Sequence, residues 1–155
     1  MGCLVEVAEY LKKFNISIGE FRTQNIYLSP EGYVKLYLLE VDEQNRHGCY
    51  YKVLSEKDTL DQYILSPEQL YCISQLNYSP CYDIFKSDLF SISFLIFSLI
   101  TQDDIKFYYN EDRNSYKFDR IDFDLDAVKK IYSPNFIELM KKCLKDSPSE
   151  RITLE

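Results

Sequence analysis

From Ile18 to Glu40 the sequence reads IGEFRTQNIYLSPEGYVKLYLLE. Its first part brings a carboxylate, a guanidinium and an amide close together, at Glu20, Arg22 and Asn25. Glu20 can accept a proton, and none of the three falls on an apolar stripe. Two short apolar runs follow, split by Ser29-Pro30-Glu31-Gly32, and the stretch closes on Leu38-Leu39-Glu40. The other groups with reactive side chains are scattered. The five cysteines are Cys3, Cys49, Cys72, Cys81 and Cys143. Their number is odd, their spacings are wide and no CxxC pair occurs, so free thiols are expected rather than a zinc site or a disulfide framework. His47 is the one histidine. It sits among polar loop residues and reads as solvated.

The elements that must position these groups can be traced from periodicity. The chain has 155 residues and 46% hydrophobic residues, which suits one domain with a real core over 1–155. A net charge of −7 provides no basic footprint for nucleic acid and disfavours an anionic membrane surface. The opening Met1-Gly2-Cys3 is followed by Glu6 where a myristoylation signal wants Ser or Thr. With no visible signal peptide, and with its thiols read as free, a cytoplasmic location is expected. Leu4, Val7, Ala8, Leu11 and Phe14 recur at helical spacing, which predicts a helix over 3–14. Residues 26–28 and 33–38 predict two short strands joined by a turn. Residues 40–62 are polar and without period, and read as a long loop.

Ser66-Pro67-Glu68 is a helix start, with Ser as cap and Pro at the first helical position. The run from Leu89 to Ile100 is apolar all round yet shorter than the roughly 18 residues a membrane span needs, so a buried central helix is predicted over 87–101. Residues 102–125 are acidic and tyrosine-rich, with no clear period. Ser133-Pro134 repeats the cap-and-proline signal ahead of a helix to about 145, and Arg151–Glu155 is expected to begin another. The coarse order is helix, small hairpin, long loop, then helices only.

That order, with four motifs in sequence, resembles the C-terminal lobe of a eukaryotic protein kinase. Ile18-Gly19-Glu20 stands where the family has HRD, and Asn25 falls five residues after Glu20, the spacing of HRDxxxxN. Thirteen residues on, Leu38-Leu39-Glu40 occupies the DFG position. Ile64–Gln69, ILSPEQ, resembles the APE motif. Lys86–Thr101 resembles the lobe's central helix, with Asp88 at its start. Cys143–Glu155 resembles the closing Cys-Leu, Asp-Pro, Arg pattern. The resemblance implies a mainly α lobe around a buried helix, with a small β-hairpin at the catalytic loop. The family's glycine-rich loop, strand lysine and helix glutamate have no counterpart in these residues and would lie upstream of Met1.

The resemblance also assigns roles. Glu20 takes the catalytic aspartate's position, Arg22 the catalytic-loop lysine's, and Asn25 that of a magnesium ligand whose partner position is Leu38. Leucine has no oxygen for a hard cation. Glu20 is one methylene longer than aspartate, a misplacement of about an ångström that costs roughly 10²-fold. Phosphoryl transfer rests on positioning and charge neutralisation, so it is expected to be lost, with no cofactor. Asp88 is expected to accept N–H groups of the loop near Ile18 and Gly19, and Glu68 and Arg151 to form a buried ion pair. Tyr50, Tyr51 and Thr59 lie in the segment matching the activation loop and are candidates for modification. The expectation is a pseudokinase-like lobe that binds a protein partner, with no nucleic acid and no membrane. The alternatives are part of a Mg-ATP-dependent protein kinase whose upper lobe lies outside this chain, or a truncated product without a role.

Overall fold

The computed structural model describes residues 2–18, 23–36, 50–55 and 63–153 of the chain. It is mainly helical, with one small antiparallel sheet. Helix α1 spans Gly2–Lys13, and strands β1 (Ile26–Leu28) and β2 (Val34–Leu36) form the hairpin. Helices α2 (Tyr50–Ser55), α3 (Pro67–Ser74), α4 (Ile84–Thr101), α5 (Phe118–Ala127) and α6 (Pro134–Cys143) follow. In the sheet Ile26 pairs with Leu36, Tyr27 with Lys35 and Leu28 with Val34. The turn is held at Ser29, whose backbone N–H donates to the Tyr33 carbonyl and whose Oγ accepts from the Tyr33 N–H at 3.1 Å. Gly32 takes φ +86°, which an L side chain resists.

Helix α4 is the hub, because its apolar residues circle the whole helix. Phe90, Ile92, Phe94 and Phe97 are fully buried. It packs on α1, α5 and α6, which bury Leu4 and Ala8, Ile121 and Leu125, and Ile137 and Met140 respectively. Among the described residues α4 is one helix long and apolar enough to cross a membrane by length and composition, but just over half of it is buried against this fold. It begins at Ile84, earlier than the 87 expected. The reason is Asp83, whose carboxylate accepts from the N–H groups of Phe85 and Lys86 at 3.0 and 3.1 Å. The serine-proline starts behave as predicted. Ser66 caps α3 in a capping box with Gln69, and Ser133 caps α6.

Three expectations need correction. The loop read over 40–62 contains α2, whose Tyr50, Val53 and Leu54 are buried at helical spacing. Six residues are too few for periodicity to stand out. Residues 102–125 are not without period, because α5 begins at Phe118 and carries Ile121 and Leu125 inward. Its inner face also holds Asp124, 8% exposed, which accepts from Tyr108 Oη at 3.0 Å and Arg120 Nε at 2.6 Å. A satisfied carboxylate on a core face hides the amphipathic pattern. Finally, no helix starts at Arg151. A 3-10 turn at Pro148–Glu150 precedes it, and Arg151 itself is extended, at φ −74° and ψ 147°. Its carbonyl accepts from Lys86 Nζ at 2.6 Å.

Candidate functional site

Glu20, Arg22 and Leu38, the residues assigned to proton transfer and metal binding, lie outside the described residues, as do Gly19, Glu40, His47 and Thr59. Asn25 is described. It closes the 3-10 turn Thr23–Asn25 and leads directly into β1, half-buried. Among the described residues no group of three or more His, Cys, Asp or Glu side chains is placed to hold a metal ion.

The loop's approach is fixed from below. Asp88, 5% exposed at the start of α4, accepts from the Ile18 N–H at 2.7 Å and from Ser17 Oγ at 2.9 Å. A carboxylate that accepts two donors in a nearly dry site makes charge-assisted bonds that are short and strong. Ile18 is itself buried, so the segment entering residues 19–22 is anchored by a side chain and by its backbone together.

Glu68 and Arg151 form the second anchor. Their contact is bidentate, with Nη1 to Oε1 and Nη2 to Oε2 both 2.7 Å. The Arg151 side chain has no exposed surface and that of Glu68 is 11% exposed. Arg151 also donates Nε to the Lys145 carbonyl at 2.7 Å, Nη1 to that of Lys86 at 3.2 Å and Nη2 to that of Asp146 at 2.7 Å. All five N–H donors of the guanidinium are therefore used. Its Cζ lies 4.8 Å from the centroid of the Phe90 ring. One residue thus ties the start of α3, the start of α4 and the segment after α6 into a single body.

Tyr50, expected in the long loop and named as a candidate for modification, lies in a helix instead. It is fully buried in α2 and donates its hydroxyl to the Asn77 carbonyl. Burial pushes its phenol up to about 12, with the neighbouring Cys72 adding to the shift. Tyr51 is half-buried. Neither tyrosine presents a free loop to a modifying enzyme.

Exposed apolar groups lie where α1 meets the hairpin, and Tyr10, Phe14 and Tyr33 are the ones that sequence reasoning did not expect at the surface. Phe14 belongs to the stripe predicted to face the core, yet it is 60% exposed. Its ring centroid lies 5.2 Å from that of Tyr10, with the planes tilted by 57°, and Tyr10 is 61% exposed. Tyr27, Leu28 and Tyr33 of the hairpin are also exposed. A cleft of about 290 Å³ runs between the two elements, lined by Glu6, Val7, Tyr10, Tyr33 and Val34. The available signal was the helical wheel, since Glu6 and Tyr10 share one face of α1 at four-residue spacing.

No family model matches the sequence, and no curated protein matches it.

Proposed function

We propose that this chain is a lobe of protein-kinase type that works by binding a protein partner, with phosphoryl transfer lost. The order of elements supports the lobe reading, as do the central helix α4, the Asp88 anchor under residues 17–18 and the bidentate Glu68–Arg151 pair. Leu38 and Glu20 at the metal and base positions argue against catalysis on chemical grounds. The observation that carries the binding role is the α1–hairpin face. Tyr10, Phe14, Leu28 and Tyr33 all expose more than half of their surface on and beside α1 and the hairpin. Large apolar exposure of this kind marks interaction surfaces.

Two measurements on the full chain test the proposal. Thermal denaturation with Mg-ATP up to millimolar concentration is expected to show no saturable shift, and a magnesium-dependent rise would overturn the non-catalytic half. Leu28→Glu is expected to reduce binding of an apolar dye without lowering the melting temperature. An unchanged dye signal would overturn the binding half.

A further inference from the structure

We propose that the cleft between α1 and the hairpin takes a short proline-rich segment of a partner protein, with a basic residue beside its prolines. The proposal deepens the partner-binding reading and rests on it. The shape selects a short, extended occupant. The cleft is lined by little more than one turn of one helix and the start of one strand, too short a groove for the i, i+4, i+7 face of an amphipathic helix. A polyproline II segment advances about 3.1 Å per residue, so two or three residues fill the length. The lining chemistry selects proline. Tyr10 and Tyr33 are 61% and 67% exposed, and half-buried Val7 and Val34 line the cleft with them. Exposed aromatic rings beside apolar groups receive proline rings, which arrive already ordered and so lose little entropy on binding. The polyproline backbone makes no internal hydrogen bonds, so its carbonyls are free to accept from tyrosine hydroxyls at the rim.

Charge selects the flank. Glu6 is the one charged residue in the lining, and the chain carries −7 overall. An arginine or lysine on the ligand meets Glu6 and is steered by the wider field. A second copy of this chain would bring the same net negative charge to the contact, which disfavours it as the occupant.

The experiment is fluorescence anisotropy of the full chain against a labelled peptide, Arg-Pro-Pro-Leu-Pro-Pro-Leu-Pro, at moderate salt. One control peptide has every proline replaced by alanine, and another has the arginine replaced by glutamate. Saturable binding is expected for the first peptide and at least ~10-fold weaker binding for both controls. Tyr33→Ala and Tyr10→Ala are expected to weaken it at least ~10-fold, as truncated anchors do. Glu6→Arg is expected to reverse the preference between the arginine and glutamate peptides. Tyr71→Ala, at an equally exposed tyrosine on α3, is expected to leave affinity unchanged.

All of the substituted positions except Glu6 are exposed tyrosines, so loss of the fold does not mimic the result. No saturable binding, equal binding of the alanine control, or indifference to Tyr33→Ala would overturn the proposal. If the peptide fails while Leu28→Glu still lowers dye binding, the ligand assignment falls and the binding face stands. If both fail, the wider reading falls with it.

Discussion

Replacing Arg151 by alanine removes five donated hydrogen bonds and leaves the Glu68 carboxylate, 11% exposed, without its partner. Most of the loss comes from the stranded carboxylate. Breaking a buried, hydrogen-bonded ion pair by deleting one side costs about 3–5 kcal/mol. The carbonyls of Lys86, Lys145 and Asp146 also lose a donor, and Phe90 loses the guanidinium over its ring. For a chain of this size each kcal/mol moves the midpoint by about 2–4 °C, so the variant should melt roughly 10 °C lower. The chain has fourteen tyrosines and no tryptophan, so the assay is urea unfolding followed by far-UV and tyrosine near-UV circular dichroism. The double variant Glu68→Gln/Arg151→Met removes both charges. It should lose less stability than the sum of the single variants, because neither side is then left as an uncompensated ion. A loss below ~1 kcal/mol for Arg151→Ala, the range of exposed pairs, would refute the reasoning.

Tyr50→Phe strips the donor from the Asn77 carbonyl and should cost about 1–2 kcal/mol by chemical denaturation, while a neutral result would show that water replaces the bond. Asp88→Ala leaves the Ile18 N–H and Ser17 hydroxyl without their acceptor. It should cost about 2–4 kcal/mol and accelerate amide exchange at Ile18 in particular, and unchanged exchange there would contradict the anchoring role. The Asp126 carboxyl is held below its usual value by Lys129 and then Lys141, which ties α5 to α6. Its folded-state pKa is the lower one, so its contribution is present above the unfolded value of about 3.9 and is lost as pH falls through the folded value. The melting difference between wild type and Asp126→Asn should therefore be seen near neutral pH and vanish in acid, and a difference that grows on acidification would reverse the assignment.

The parts of the fold that could be read from the sequence are those where one local signal sufficed. Serine-proline pairs marked the starts of α3 and α6, and an all-apolar run marked α4. Glu68 and Arg151, 83 residues apart, were paired only through the kinase resemblance, since nothing local links them. What escaped was set by tertiary partners. Helix α2 is too short to carry a period, and it is held by buried Tyr50 and a carbonyl far along the chain. In α5 the core face includes Asp124, polar by type but satisfied by Tyr108 and Arg120. Phe14 looks like a core residue by type and spacing, yet it lies beyond Lys13, the last residue of α1. The chain turns there, with Asn15 at φ 57°. The α1–hairpin cleft joins residues more than twenty positions apart, so no single window of sequence contains it.

The central claim is that the α1–hairpin face exists to be covered by a partner. Size-exclusion chromatography with light scattering and an apolar dye, run on the wild-type chain beside Leu28→Glu/Tyr33→Glu, tests it most directly. The account predicts that the wild-type chain binds dye, while the double variant is monodisperse, dye-silent and equally stable. A wild-type chain with no dye binding would contradict it.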